Sequence, residues 1–533
     1  MRGHRRWRFC AAAGGIALSV TCAPARTAPS MPATATPPSS TPAASPPAPP
    51  ALAPIAAVAT PAPRTLSSDL DQIFSDPILR RALVGVRVES LADGLDEHER
   101  LLYQRDSAKL VMPASNMKLH TLAAAAERLG WDFRYQTRLE ATGSLDRGLL
   151  DGDLVVTGSG DPSIVSLDFG PAAAFLEWAD ALREAGIRRV RGRLIGDDSA
   201  FADEPLGAGW AWDYLDAGYA APSGALSYNE NTVTVRAWPG DSPGSPVRVE
   251  ISPDGHGLDL DNALGTGAQG SPPRLELSRP MGQSRLSLRG SLPAGGSVVT
   301  RTTTVDRPGG FFVGALRAAL ASRGIAVDGG AWTIADVRDN PPSTQRQLIA
   351  TRLSQPLSSL AGYFMKVSQN FYAEMLLKTL AHAGGAVGSA SEGRRAVREV
   401  LAGWGIAPDS FVMQDGSGLS RYDYTTADTV VALLRHVWND EHLRGPFLSA
   451  LPVAGHDGTL DTRMRGTVLD DHVEAKTGSI ANVRALSGFL ETPAGQHIVF
   501  SIIVNNFTAP ASQIDALVER ALAAIAAEEP AHR

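Results

Sequence analysis

The sequence predicts an α/β (α+β) domain that is split by a β-rich insertion. Both ends of the folded part show apolar residues at helical spacing, whereas residues 135–343 form short β-type runs between Gly, Asp and Pro. Two further β-type runs lie near the C-terminus, so the helix-rich part has strands of its own. A chain of 533 residues is long enough for several domains. We therefore expect a unit of helices and sheet that is interrupted in sequence by an insertion.

The spacing of apolar residues places the individual helices and strands. Residues 116–129 are rich in alanine and stop at Gly130, a residue common just after a helix. Helices are predicted at residues 66–79, 116–129, 171–186, 311–324, 370–380, 394–403 and 511–526. Strands are predicted at residues 84–88, 153–157, 232–237, 275–277, 297–302, 485–490 and 498–504.

The first 64 residues have the composition of an export signal followed by a linker. Arginines precede an uncharged apolar run and a small-residue stretch, which predicts a secretory signal peptide over residues 1–25. Residues 26–64 are almost entirely Ala, Pro, Thr and Ser, which favours an extended linker. Cys22 as a lipid acceptor is the less favoured alternative, because residues 19–21 lack the expected leucine-like and small residues. No later segment reaches the ~18 apolar residues that a transmembrane helix needs.

Composition excludes several classes of function. A net charge of -7 gives no basic surface for nucleic acid, since phosphate binding needs clustered cations. The only cysteines are Cys10 and Cys22, so the body of the chain has neither a disulfide framework nor a thiolate metal site. The eleven histidines show no H-E-x-x-H pattern or comparable metal spacing. We therefore expect no metal and no cofactor.

Three short motifs carry the chemistry. Ser115 and Lys118 are three residues apart and share one face of the predicted helix. A serine needs an adjacent base, and Lys118 can serve if burial and nearby positive charge keep it neutral. The other two motifs are Ser368-Gln369-Asn370 and Lys476-Thr477-Gly478.

The ordered set is more specific than any one motif. A second S-x-N sequence begins at Ser227, but it enters a strand-like run, whereas Ser368 stands at the start of a helical pattern. The chain has only five lysines, and two of them fall in the set. Ser368 is therefore preferred over Ser227.

These motifs resemble those of serine penicillin-binding proteins. More closely, the chain is similar to the D-alanyl-D-alanine carboxypeptidase/endopeptidase family of class C low-molecular-mass penicillin-binding proteins, peptidase family S13. The matching stretches, which together span about residues 65–510, are residues 113–118, 152–162, 225–231, 368–377, 415–421 and 455–460.

The resemblance implies a serine β-lactamase/DD-peptidase-like transpeptidase fold split by a β-rich, two-part inserted domain. The expected division places the penicillin-binding domain at residues 65–137 and 345–533, inserted domain II at 138–220 and 303–344, and inserted domain III at 221–302.

The resemblance also implies a role for each motif residue. Ser115 would attack a D-Ala carbonyl and form an acyl-enzyme while Lys118 accepts its proton. Ser368 would relay a proton to the leaving amine, Asn370 would orient the substrate amide, and Lys476 would bind the terminal carboxylate. No metal is required.

The third motif is also implied to bind substrate. Thr477 would hold the carboxylate with Lys476, and Gly478 would admit substrate to the strand edge as an added strand. Backbone N–H groups of Ser115 and Ser479 would form the oxyanion hole.

Three more residues match family positions near the substrate. Arg421 would pair with the carboxylate of a diaminopimelate side chain, because its planar fork suits bidentate binding. Asp197 and Phe201 lie where the family's inserted domain reaches the substrate amine, with Asp198 as the alternative register. Ala481 departs from relatives that can carry a polar side chain facing substrate.

Other polar and aromatic residues have structural interpretations. His120 follows Lys118 by two residues and points away from that face, so it is predicted to be a surface histidine. Trp210, Trp212 and Tyr214 could stack on glycan, although hydrophobic packing is the favoured interpretation.

The predicted function is a serine D-alanyl-D-alanine carboxypeptidase/endopeptidase of the periplasm. Its partners would be peptidoglycan stem peptides, including D-Ala-diaminopimelate cross-links, and β-lactam antibiotics as covalent inhibitors. One alternative is a serine β-lactamase, disfavoured by the large insertion and the lack of a clear extra deacylation base. Another is a non-catalytic peptidoglycan-binding or β-lactam-sensing module, for which neither a transmembrane segment nor a signalling domain is present in the sequence. The oligomeric state stays open.

Overall fold

The computed structural model describes residues 65–167 and 170–528. The predicted signal peptide, the linker and Cys22 lie outside these residues. Before the β-rich middle, the elements are α1 (Leu66–Phe74), β1 (Leu83–Ser90), α2 (Glu97–Arg100), β2 (Leu101–Arg105) and α3 (Met117–Leu129).

We call residues 136–353 the middle region, since most of its regular structure is strand. Its elements are β3 (Gln136–Ala141), β4 (Ser144–Asp146), β5 (Leu149–Asp151), β6 (Leu154–Thr157), α4 (Ala173–Glu184), β7 (Arg189–Val190), β8 (Leu194–Asp197), β9 (Thr232–Trp238), β10 (Arg248–Ser252), β11 (Asp259–Gly267), β12 (Arg274–Ser278), β13 (Arg285–Pro293), β14 (Val299–Thr304), α5 (Pro308–Ser322), β15 (Ala326–Val327), β16 (Ala331–Thr333) and β17 (Gln347–Leu353).

The last part of the chain returns to long helices and ends with three strands and a helix. Its elements are α6 (Leu357–Lys366), α7 (Asn370–Ala383), α8 (Ala390–Gly403), β18 (Phe411–Val412), β19 (Tyr424–Thr425), α9 (Ala427–Asn439), α10 (Glu441–Ala450), β20 (Val473–Ile480), β21 (Val483–Glu491), β22 (His497–Asn505) and α11 (Ala511–Ala526).

A five-stranded antiparallel sheet joins the two ends of the described chain. Its order is β2-β1-β22-β21-β20. Val86 of β1 lies opposite Ile502 of β22, so the strand before the middle region pairs with a strand that follows it by more than a hundred residues. The sheet forms only when both parts fold together, and this brings α3 close to β20.

Helices cover both faces of this sheet. One face packs against α1 and α11, and the other against α9 and the helices around α3. Within β22, Val499 belongs to the apolar core on the α9 side, whereas Phe500 and Ile502 belong to the opposite core. A strand that is buried on both faces is apolar at nearly every position. This explains the continuous apolar character of β22.

The middle region has an apolar core of its own. Its largest sheet has the order β16-β8-β6-β3-β17, and its smaller sheets have the orders β15-β7-β5-β4, β10-β9-β14 and β11-β13-β12. Helices α4 and α5 supply Phe175 and Phe312, whose rings lie 5.1 Å apart in this core. The boundaries proposed above for inserted domains II and III stay predictions.

Most predicted elements are present, with shifts that have local causes. The first helix ends at Phe74 and continues as a separate 3-10 turn, because Pro77 cannot donate the hydrogen bond of a continuous helix. Helix α8 begins at Ala390, four residues earlier than predicted, since Ser389 caps the backbone N–H of Glu392.

The prediction that His120 is a surface histidine is wrong. Its side chain is fully buried, its ring lies 5.4 Å from the Phe411 ring, and Nε2 is 3.2 Å from Thr425 Oγ1. Helix α3 is buried around most of its circumference, so a residue on the face opposite Lys118 still meets protein. Burial lowers the pKa of His120 to about 4.

Within residues 65–167 and 170–528, no helix is both long enough and apolar enough to span a membrane. The same residues contain no cluster of three or more His, Cys, Asp or Glu side chains suited to hold a metal ion.

Candidate active site

Ser115 lies in a 3-10 turn, Ala114–Asn116, that leads directly into α3. The turn is tight, with Ala114 in the left-handed region at φ 46°. A Cβ at Gly418 would lie 1.7 Å from the Ala114 carbonyl oxygen, and one at Gly478 would lie 2.5 Å from the Pro113 carbonyl oxygen. Both glycines therefore allow neighbouring backbone to close around the turn that carries Ser115.

The structure brings Ser115, Lys118 and Asn370 together. Lys118 Nζ lies 2.9 Å from Ser115 Oγ, 2.6 Å from Asn370 Oδ1 and 2.8 Å from the Ser417 carbonyl oxygen. The amide oxygen and the carbonyl can only accept hydrogen bonds, whereas the Ser115 hydroxyl can also donate. A neutral Lys118 amine therefore gives its two N–H groups to Asn370 and Ser417 and directs its lone pair at Ser115.

Burial allows Lys118 to exist as a neutral amine near neutral pH. The side chain is fully buried, and loss of hydration lowers its pKa to about 7. The nearby carboxyl groups of Asp415, Glu374 and Asp423 act in the opposite direction and keep the pKa from falling further. Lys118 can thus accept a proton and release it again.

The second motif lies between two helices. Ser368 follows α6 with φ 60°, and Asn370 is the first residue of α7. Ser368 Oγ lies 2.8 Å from Lys476 Nζ, and Asn370 Nδ2 donates to the Tyr219 carbonyl at 2.8 Å. The motif therefore contacts both lysines of the site and one loop of the middle region.

The third motif lies on β20, the edge strand of the five-stranded sheet. Lys476 is fully buried, and burial together with the charge of Lys118 lowers its pKa well below the ordinary value. Its carbonyl accepts from Asn116 Nδ2 at 3.0 Å, which fastens the strand to the Ser115 turn. Thr477 Oγ1 donates to Thr459 Oγ1 at 2.7 Å, and the Ser479 side chain is exposed. All three motifs thus converge on one site.

A sequence profile and curated relatives match nearly the whole described chain. The profile described as the "D-Ala-D-Ala carboxypeptidase 3 (S13) family" matches residues 66–528. A D-alanyl-D-alanine carboxypeptidase of Actinomadura sp. (strain R39) is 36% identical over 482 residues, which cover 88% of this chain and 85% of the relative. The chain belongs to the D-Ala-D-Ala carboxypeptidase 3 (S13) family.

Two further comparisons agree with this. The D-alanyl-D-alanine carboxypeptidase DacB of Haemophilus influenzae is 26% identical, over 80% of this chain and 86% of the relative. The crystal structure of penicillin binding protein 4 (dacB) from Haemophilus influenzae superposes with a TM-score of 0.74 at 24% identity, over 86% of this chain and 98% of that one. The predicted family and the predicted fold class are confirmed.

Arg421, Asp197 and Phe201 are the predicted site residues of this S13 family member that lie outside the three motifs. Arg421 Nη2 is 3.3 Å from the Ala481 carbonyl and 3.4 Å from Tyr214 Oη, so the side chain lies beside the end of β20. Asp197, at the end of β8, accepts from the Ser199 hydroxyl at 2.6 Å. Phe201 is buried, and a Cβ at Gly388 would lie 2.4 Å from its ring. Substrate binding by these three residues stays a prediction.

The Ser227 hydroxyl makes its hydrogen bonds within the middle region, in agreement with the preference for Ser368 as the motif serine. Its hydroxyl donates to the Gly224 carbonyl at 2.8 Å and accepts from Asn231 Nδ2 at 3.1 Å, within a buried loop of the middle region.

The favoured interpretation of the aromatic residues 210, 212 and 214 as hydrophobic packing is wrong for Trp212, whose side chain is 86% exposed.

The sequence motifs assigned no role to the buried carboxyl groups of Asp415 and Glu374, which fix the loop beside Lys118, although Asp415 lies in a stretch that matches the family. Asp415 Oδ1 accepts from the backbone N–H of Gly418 at 2.6 Å, and Oδ2 accepts from Trp210 Nε1 at 2.7 Å. Glu374 accepts from Gly416 N at 3.0 Å, and burial raises the pKa of its carboxyl. Together they fix the loop whose Ser417 carbonyl binds Lys118. A charged residue inside the apolar pattern of α7 was the one available signal for Glu374.

We expect Gly478→Ala to slow the reaction of Ser115 with benzylpenicillin about 10-fold or more, because the new Cβ must displace the Pro113 carbonyl and with it the Ser115 turn. Intact mass against time measures this rate. Gly265→Ala is the matched control, since Gly265 is also a strand glycine and a Cβ there has nothing within 4 Å. Equal rates for the two variants would contradict the close-packing argument.

Proposed function

We propose that this S13 family member is a serine D-alanyl-D-alanine carboxypeptidase/endopeptidase that cleaves peptidoglycan stem peptides through an acyl-enzyme and is inhibited by β-lactams. The observation that carries the proposal is the position of the Lys118 amine. Two of its three partners can only accept hydrogen bonds, and the third is the Ser115 hydroxyl. This is the arrangement of a general base beside its nucleophile.

Acylation moves one proton and exchanges one bond. Ser115 Oγ attacks the carbonyl carbon of the D-Ala residue before the scissile bond, and its proton passes to the Lys118 amine. The negative charge on the carbonyl oxygen is held by the backbone N–H groups of Ser115 and Ser479. When the C–N bond breaks, Ser368 relays to the leaving amine the proton that Lys118 took from Ser115, so Lys118 is a neutral amine again. Water then hydrolyses the ester and restores the Ser115 hydroxyl.

Recognition of the substrate rests on charge and on the strand edge. The substrate ends in a carboxylate, and Lys476 with Thr477 offers an ammonium and a hydroxyl at the edge of the sheet. Binding an anion there favours the ammonium form of Lys476, which burial otherwise disfavours. A peptide can add as a further strand to the later part of β20, because β21 is the only strand that pairs with this part among the described residues, whereas Val453 bridges Glu474 at the start of β20.

The substrate places the enzyme outside the cytoplasm. Peptidoglycan lies in the cell envelope, and the predicted signal peptide with its Pro/Ala-rich linker suits export to the periplasm. Arg421, beside the end of β20, would pair with the diaminopimelate carboxylate of a cross-link. Asp197 and Phe201 are proposed to contribute from the middle region, which would comprise inserted domains II and III.

We expect benzylpenicillin to form one covalent adduct with the purified protein that persists for many minutes and maps to Ser115. Ser115→Ala should form none while keeping the fold, because no other group would carry the acyl bond. Intact mass against time with excess drug measures both. A variant that still traps penicillin would refute the nucleophile assignment. Rapid consumption of the drug without an adduct would indicate a β-lactamase, and intact drug without an adduct would indicate a non-catalytic module.

The rate of acylation by benzylpenicillin should rise with pH and level off above about pH 7. Since the pKa of Lys118 is lowered to about 7, the amine fraction falls about tenfold for each pH unit below that value. Stopped-flow or mass measurements between pH 5 and 9 give the profile. Lys118→Arg, whose side chain stays protonated, should be inactive throughout. A rate that still climbs tenfold per unit between pH 8 and pH 9 would mean that Lys118 keeps its ordinary pKa.

Arg421→Ala should slow cleavage of diaminopimelate-containing peptides about 10- to 100-fold, which is the worth of a charge-assisted hydrogen bond pair, and should change penicillin acylation little. Paired peptide-hydrolysis and acylation assays measure the two rates. Arg189→Ala, which removes an exposed arginine of the middle region, serves as the control and should alter neither. Equal losses on both substrates would point to a structural arginine.

A further inference from the structure

We propose that Glu230, in the middle region, is a positioning residue that holds Ser368 and Asn370 in their reactive places by binding Gln369 between them. The role rests on the proposed function, since it concerns the proton relay and the Lys118 contact of that reaction. Glu230 itself contacts neither Ser115 nor either catalytic lysine through any hydrogen bond among the described residues. It therefore acts through its neighbours.

The link consists of hydrogen bonds from two side chains of the catalytic part. Gln369 Nε2 donates to Glu230 Oε2, and Tyr363 Oη, from α6, donates to Glu230 Oε1 at 2.8 Å. The same Gln369 side chain turns its Oε1 to the backbone N–H of Phe371 at 3.3 Å and so caps α7. One carboxylate thus fixes both the end of α6 and the start of α7, and Ser368 lies between them.

Unusual backbone lies at the Glu230 end of this link and directly before Gln369 at the other end. Ser368 has φ 60°, and Asn229, Glu230 and Asn231 have φ 51°, 54° and 53°. Asparagine enters the left-handed region readily, but serine and glutamate do so rarely. Such conformations persist where the surroundings hold them, and they are common at functional sites. The Glu230–Gln369 hydrogen bond joins these two segments directly.

A second contact from the middle region acts on the next residue of the motif. The Tyr219 carbonyl accepts from Asn370 Nδ2 at 2.8 Å, which leaves Oδ1 to face Lys118 Nζ at 2.6 Å. With Gln369 held by Glu230 and the Asn370 amide oriented by Tyr219, the middle region sets the geometry of the motif at two consecutive residues.

The partners of the Glu230 carboxylate are neutral, so its hydrogen-bonding geometry matters more than its charge. In Glu230→Gln, the amide oxygen can accept from Gln369 while the NH₂ group donates to the phenol oxygen of Tyr363, which can also accept. Glu230→Gln should therefore preserve the link, whereas Glu230→Ala removes it.

The test compares acylation by benzylpenicillin in the full chain and its variants over a range of drug concentrations, which separates binding from the acylation step. Glu230→Ala should lower the acylation rate constant about 10- to 100-fold with little change in drug binding, as displacement of a reacting group does. Glu230→Gln should restore most of the rate. Asp261→Ala removes a carboxylate that binds Arg285 and Arg289 within its own sheet, and should leave the rate unchanged.

Two further measurements make the result decisive. Gln369→Ala should lower the rate as Glu230→Ala does, and the loss in the double variant should be smaller than the product of the two single losses, because both variants break the Glu230–Gln369 hydrogen bond. Hydrogen exchange of residues 366–373 should increase in Glu230→Ala and stay unchanged in Asp261→Ala.

Each failure has a distinct signature. Normal acylation by Glu230→Ala, or additive losses in the double variant, would overturn the positioning role. If Glu230→Ala does not fold, Gln369→Ala tests the link from its other end, and normal acylation there would overturn the role as well. If the unchanged protein forms no adduct at all, the proposed function fails, and the link is judged by hydrogen exchange alone. Unchanged exchange in Glu230→Ala would then refute it.

Discussion

The burial of Lys118 is the constraint on which the rest of the site depends. A lysine side chain in water has a pKa near 10.4, so at neutral pH it is an ammonium group. An ammonium group cannot take a proton from serine. Removing it from water lowers the pKa to about 7, but every buried N–H then needs an acceptor. The acceptors come from remote segments, Asn370 at the start of α7 and Ser417 in the loop after β18. The fold has to bring these segments together before Lys118 can serve as a base.

The central sheet accomplishes this by pairing strands from both ends of the chain. Because β1 lies between β2 and β22, the segment that leads to Ser115 is tied to the same sheet as Lys476. Asn505, at the end of β22, binds Met112 through both its amide oxygen and its amide nitrogen, at 2.6 and 3.0 Å. The turn that carries Ser115 is thus fastened to β22, a strand that is buried on both faces. Gly478 and Gly418 then let backbone approach that turn where any side chain would collide.

The sequence pattern predicted contacts between residues that are close in sequence, but few of the contacts between distant segments. Ser115 and Lys118 share a helix face, so their contact follows from spacing alone. Helix α11 has the bounds that its apolar pattern predicted. Nothing in local spacing indicates that Glu374 lies under Gly416, or that Trp210 binds Asp415 from more than two hundred residues away. The prediction for His120 failed for the same reason: helical periodicity tells which residues share a face, but tertiary packing decides whether the other faces meet solvent.

The middle region belongs to the chemistry as well as to the architecture. Trp210 donates to Asp415, whose charge acts on Lys118, and the Tyr219 carbonyl fixes the amide that accepts from Lys118. If water reached Lys118, its hydration would return and its pKa would rise toward the ordinary value, which would remove the base. Contacts that keep the middle region against Asn370 and Asp415 therefore also preserve the neutral amine. The large β-rich segment between Ser115 and Ser368 therefore supplies side-chain and backbone groups that complete the surroundings of Lys118, the proposed base.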